Sequence, residues 1–86
     1  MIFEYTDIFK RDYQELPQFV RKKFKKAIRL FEADERHPSL RVEKIDAERG
    51  IWSARADLQY RFTFNRIEGG IRLRRIAAHV QAYRRP

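Results

Sequence analysis

Near the end of the chain, in "IAAHVQAYRRP", His79 and Tyr83 stand four positions apart, with Arg84 directly behind them. Imidazole titrates near neutral pH, so His79 can give or take a proton. Tyr83 can hydrogen-bond a phosphate, stack on a base or act as an acid. Upstream, Arg55 and Arg61 fall in segments of alternating polarity, and a guanidinium fork matches the oxygens of a phosphate. This set of groups suits RNA cleavage by transesterification. A 2′-OH attacks the adjacent phosphate, a base takes its proton, cations neutralise the pentacoordinate phosphate, and an acid protonates the leaving 5′-oxygen. Arg55, Arg61, His79 and Tyr83 are therefore the expected catalytic set. Lys44, Arg74 and Arg84 are expected to bind the substrate.

Each of these residues also has a plainer role open to it. A histidine at a strand end is often a surface residue, and Tyr83 can simply pack a sheet edge. Arg55 and Arg61 can pair with Asp57 or Glu43, and such exposed pairs contribute little. The sequence has no Cys, no His-x-x-x-His spacing and no glycine-rich phosphate loop, so neither a metal nor a cofactor is expected.

The elements that position these groups can be read from periodicity. Residues 2–5, "IFEY", form a short apolar strand. Thr6 or Asp7 can cap a helix in which Phe9, Tyr13 and Leu16 share one face. Pro17 restarts the pattern in a first helical turn. Val20, Phe24, Ala27, Ile28 and Phe31 then make one apolar helical stripe, with Arg21, Lys22, Lys23, Lys25, Lys26 and Arg29 on the other face. His37-Pro38 ends that helix, because the residue before a proline is pushed out of helical space. From there the period becomes two. Strands are expected over 40–45, 51–56, 60–67 and 71–78, with "DAERG", "DLQ" and "EGG" as turns. Trp52, Ala54, Tyr60, Phe62 and Phe64 face the helices; Arg55, Arg61 and Thr63 face away. In the last strand Leu73 and Ile76 fall out of phase, which a bulge or burial on both faces would reconcile. The expected fold class is α+β: an N-terminal strand and two helices packed on one face of a mostly antiparallel twisted sheet, leaving a basic, open second face.

At 86 residues the chain is expected to be a single domain, 1–86. Twenty Lys and Arg against twelve Asp and Glu give a net charge of +8. Such an excess on a small domain attracts polyanions, whether nucleic acid or an acidic protein partner. No apolar run approaches the length that spans a membrane, and "MIFEYTDIFKRD" lacks the pattern of a secretory leader. A cytoplasmic protein without membrane contact is expected.

Several of these residues carry a resemblance to the RelE/ParE superfamily of toxin–antitoxin toxins. They are "HPSL" after the second helix, W-x-x-R at Trp52 and Arg55, "YRF" at Tyr60 to Phe62, and H-x-x-x-Y-R from His79 to Arg84. The resemblance runs along nearly the whole chain. It implies a microbial-RNase-like fold and, on the RelE-like side, a metal-independent, ribosome-dependent mRNA endoribonuclease that inhibits translation and is neutralised by a cognate antitoxin protein. ParE-like members share the fold but act on DNA gyrase without the RNase set; a third reading is a non-toxic basic RNA-binding module. By resemblance, Arg55 and Arg61 match the sheet arginines that contact phosphate. His79 and Tyr83 match C-terminal positions used for proton transfer and base stacking. Lys44 falls where some members carry catalytic lysines, but that lysine-rich stretch is reduced here to Lys44 with Glu43 beside it. The general base is open between Glu43 and Lys44.

Overall fold

The computed structural model describes residues 1–86. Its elements run β1 (Ile2–Tyr5), α1 (Asp7–Glu15), α2 (Gln18–Ala33), a 3₁₀ turn (Pro38–Leu40), β2 (Glu43–Asp46), β3 (Ile51–Arg55), β4 (Tyr60–Ile67), β5 (Gly70–Ala78) and α3 (His79–Arg84). The five strands form one sheet in the order β1-β5-β4-β3-β2. β1 runs parallel to β5, and every other pair is antiparallel. The fold is α+β, with α1 and α2 packed on one face of the sheet.

Local chemistry explains the boundaries. Of the two possible caps for α1, Thr6 is the one used: its hydroxyl accepts from the Phe9 N–H at 3.0 Å, and Asp7 lies in the first turn, where a negative charge favours the helix dipole. Pro17 sits one residue ahead of α2, and its carbonyl accepts from the N–H groups of Val20 and Arg21. The apolar stripe of α2 is buried at Val20, Phe24, Ala27 and Phe31. Phe24 meets the Phe62 ring edge-on at 5.3 Å, and Phe31 meets Phe64 at 5.2 Å. Each fully buried aromatic of this kind stabilises by about 2–3 kcal/mol, and well-set ring pairs add about 0.5–1.5.

Two expectations are corrected, and one open alternative is decided. Residues 38–40 form a 3₁₀ turn instead of the start of a strand: His37 Nδ1 accepts from the Ser39 N–H, Leu40 is buried, and Arg41 takes a left-handed conformation (φ 46°) before β2 begins at Glu43. The out-of-phase pair in the last strand is reconciled by a bulge. Thr63 pairs with Arg75 and Phe64 with Leu73, so Arg74 is the extra residue, and both Leu73 and Ile76 reach the helix-side core. The second correction concerns the second face of the sheet, which is not open. Residues 79–84 form α3, which packs on β4 and β5. Ser53 and Thr63, both on that face, are fully buried, as is Ala82 of α3.

Candidate functional site

Phe62, Phe64 and Ala54 lie in the helix-side core, so the alternate residues Arg61, Thr63, Ser53 and Arg55 belong to the second face. Arg55 and Arg61 are direct neighbours across the β3–β4 pair, and Ser53 is opposite both Thr63 and Glu43. This places Glu43, Ser53 and Thr63 in one row across the sheet, with Arg55 and Arg61 in the next.

Neither arginine forms an ion pair. Asp57 instead caps the β3–β4 turn, its carboxylate accepting from the N–H groups of Gln59 and Tyr60 at 2.8 Å each. Arg61 is only 6% exposed, and its Nη1 donates to the main-chain oxygens of Asp57 (3.2 Å) and Tyr60 (3.3 Å). Arg55 Nε and Ser53 Oγ are buried without any hydrogen-bond partner. Unpaired buried polar atoms are uncommon in native proteins and costly to maintain. Two of them on adjacent positions of one strand face, beside two guanidiniums with no counter-charge, mark a polar site with unused binding capacity.

α3 and the residues after it lie along the rim of this site. The His79 N–H donates to the Gln59 carbonyl at 2.8 Å, fixing the start of the helix. One turn on, Tyr83 stands edge-to-face with the His79 ring, centroids 4.5 Å apart at 89°. The Tyr83 hydroxyl donates to Glu43 Oε1. Carboxylate, phenol and imidazole therefore follow one another along the rim, with His79 exposed and Tyr83 39% exposed. Beyond α3, the Pro86 main-chain oxygen accepts from Thr63 Oγ1 at 2.8 Å and from Arg74 Nε at 3.1 Å. Arg74 Nη1 donates to Asn65 Oδ1 at 2.7 Å. Arg74 is held below the usual arginine range, first by burial and then by repulsion from Arg49.

The structure thus brings His79 and Tyr83 into contact and sets Arg55 beside Arg61 on the same sheet face. Arg74 and Arg84 lie toward the far end of α3. Lys44 is not among them: it pairs with Trp52, its Nζ 5.1 Å from the Trp52 ring centre, on the helix side of the sheet. Adjacent residues on a strand point to opposite faces, so it is Glu43 that reaches the rim. The signal for Glu43 was the register of β2 on β3, which residue types alone do not provide. Ser53 and Thr63 gave no signal beyond their place in the alternation.

No protein-family model matches the chain, and no curated protein matches it by sequence. Solved structures are similar over nearly its whole length. The YoeB/ParE toxin from Agrobacterium tumefaciens superposes with a TM-score of 0.73 at 20% identity, covering 92% of this chain and 99% of that one. The toxin–antitoxin complex RelB-RelE from Methanococcus jannaschii gives 0.73 at 20% identity, with 94% and 95% covered. YafQ from E. coli gives 0.76 at 13% identity, with 95% and 97% covered. The fold is that of the RelE/ParE-like toxins. On this fold, the sheet face carrying Arg55 and Arg61 lies beside the rim formed by Glu43, Tyr83 and His79.

Proposed function

We propose that the protein is the toxin of a type II toxin–antitoxin pair and that it cuts mRNA on the ribosome by metal-independent transesterification. Its partners are a cognate antitoxin and ribosome-bound mRNA, and it acts where ribosomes are, in the cytoplasm. No helix of the chain is long and apolar enough to cross a membrane. The observation that carries the proposal is the Glu43–Tyr83–His79 sequence of groups at the rim of a face whose two arginines lack counter-charges. Glu43 or His79 takes the 2′ proton, and the other group or Tyr83 returns one to the leaving 5′-oxygen. Arg55 and Arg61 supply positive charge to the phosphate as it becomes pentacoordinate, in a partly dry site where that charge has most effect. Ser53 Oγ and Arg55 Nε are unpaired but buried, so they serve as donors only if the α3 side of the face opens.

One observation favours the non-catalytic alternative, a toxin that acts on gyrase. Arg61 is almost fully buried and bonded to main-chain oxygens, a posture that suits a structural arginine as well as a catalytic one. Induction of the protein in cells, with mapping of mRNA 5′ ends and timing of translation against DNA replication, separates the two. The expected result is new mRNA 5′ ends with an early stop in translation, lost in His79→Ala, Arg61→Ala and Glu43→Gln and weakened in Tyr83→Phe. Replication stopping first without mRNA cleavage, or cleavage that persists in all four variants, refutes the proposal.

A further inference from the structure

Residues 56–59 turn the chain from β3 into β4, and this one turn holds two of the groups proposed to cut. Arg55 and Arg61 form the last cross-strand pair before it. Like charges directly opposite on a sheet destabilise the pairing, so the end of this hairpin has to be held against its own repulsion. The Ala56 N–H closes the ladder on the Tyr60 carbonyl at 2.9 Å. The Asp57 side chain fixes the rest of the turn. A single oxygen, Oδ1, accepts from both the Gln59 and the Tyr60 N–H. Such a turn needs an acceptor at this position and reach, which asparagine also carries; it does not need the charge.

Two main-chain oxygens of the turn then reach the site. The Asp57 oxygen, with that of Tyr60, accepts from Arg61 Nη1. Arg61 Nε and Nη2 make no hydrogen bond within the protein, yet neither is among its sealed, unpartnered atoms, so both reach solvent. They form the same edge with which Arg75 grips the Asp12 carboxylate, through Nε and Nη2. The turn therefore takes the far nitrogen of Arg61 and leaves free the edge that matches two oxygens of a phosphate. The Gln59 oxygen accepts from the His79 N–H at 2.8 Å, where β5 passes into α3. α3 has no side-chain cap of its own, so this contact sets where the helix carrying His79 and Tyr83 begins.

We propose that Asp57 is a positioning residue for RNA cleavage: through the turn it caps, it aims the Arg61 fork and registers His79 against it. This rests on the reading of the protein as a toxin that cuts mRNA. Asp57 itself touches neither the RNA nor the proton that moves. It acts through two carbonyl groups, one on each side of the reacting phosphate.

The test is single-turnover cleavage of mRNA bound to purified ribosomes, read as the maximal rate and as the toxin concentration that gives half of it. Two conservative variants separate shape from charge. Asp57→Asn loses the charge and keeps the acceptor, and should cut at close to the wild-type rate. Asp57→Glu keeps the charge but carries its oxygens one methylene too far, and should lower the maximal rate by about tenfold to a hundredfold, the range for misplacing a reacting group by about 1 Å. Arg61 and His79 act on the phosphate as it reacts, so the half-saturating concentration should stay that of wild type. Amide exchange at His79 should quicken in Asp57→Glu and stay slow in Asp57→Asn, a signature that needs no cleavage. Both variants alter only a half-buried turn residue and should keep the wild-type far-ultraviolet spectrum. Asp57→Asn as slow as Asp57→Glu would show that the carboxylate acts by its charge. Asp57→Glu at the wild-type rate would show that the turn positions nothing. A raised half-saturating concentration with an unchanged maximal rate would make the turn a binding element. Each of these overturns the proposal while the functional reading stands. Wild type that cleaves no mRNA overturns the functional reading, and the role of Asp57 in cutting falls with it.

Discussion

Asp12 of α1 ties the first helix to the β5 bulge, and its replacement should cost more than any other exposed or half-exposed acid in the chain. Its carboxylate accepts from Arg75 Nε at 2.7 Å, from Arg75 Nη2 at 3.1 Å, and from the Ile76 N–H at 3.2 Å. The Asp12 side chain is 16% exposed and that of Arg75 30% exposed, so water screens the fork only partly. The charge-assisted fork is worth about 1 kcal/mol at this exposure. The Ile76 N–H is a different matter. Ile76 is 1% exposed, and leaving a buried donor unmet costs about 1–3 kcal/mol. Asp12→Ala should therefore destabilise by about 3 kcal/mol, and Asp12→Asn, which keeps an acceptor for Ile76, by about 1. On a domain of this size about 3 kcal/mol lowers Tm by roughly 12–24 °C. Urea unfolding followed through Trp52, the only tryptophan, reads both variants directly. Equal losses for the two, or a loss below about 1 kcal/mol for Asp12→Ala, would show that the bulge does not depend on this carboxylate.

Two further outcomes follow from other parts of the chain. A Cβ at Gly70 would overlap the Ile2 main chain across the β1–β5 pair; Gly70→Ala should release β1, seen as rapid amide exchange over residues 2–5, while Gly69→Ala should strain only the turn, where φ is +78°. The Asp46 carboxyl is held below its ordinary range, first by the Arg49 backbone N–H and then by the Arg49 side chain. A lowered folded-state pKa contributes stability that is present above the unfolded value, about 3.9, and is lost as pH falls through the folded value. An NMR titration should place the Asp46 midpoint below 3.9, and Arg49→Gln, which keeps the backbone donor, should return only part of the shift.

How much of this was legible from residue types differs from element to element. The α2 stripe was readable because five apolar residues kept helical spacing against an opposite face rich in Lys and Arg, and no tertiary contact had to be known. β3 and β4 were readable because their alternation is strict, and it put Arg55, Arg61 and Thr63 on one face as the structure does. β5 was half legible: Leu73 and Ile76 showed that the pleat broke, but only the pairing with Thr63 and Phe64 shows that Arg74 is the inserted residue. α3 was hidden. Residues 79–84 are a six-residue helix without a side-chain cap, stable only because Ala82 is buried and Tyr83 finds Glu43, contacts that lie 40 positions apart for the latter pair. The same distance explains why residue types leave Glu43 and its neighbour Lys44 equally open. In a strand, the choice between adjacent residues is decided by register, and register is a property of the partner.

The parallel pairing of β1 with β5 has a kinetic meaning. Glu4 lies beside Arg72 and Tyr5 beside Leu73, so the first strand cannot find its place until nearly seventy further residues are available. Closing so long a loop is entropically costly and slows folding relative to chains built from local contacts. Until β5 arrives, α1 lacks the strand it packs on, and Phe24 and Phe31 of α2 have only Phe62 and Phe64 of β4 to cover. A fragment that ends before β5 should keep the β2–β3 and β3–β4 pairings but lack the place for β1, the β5 bulge and α3. The arrival of β5 is what joins the first strand to the sheet and brings Tyr83 to Glu43.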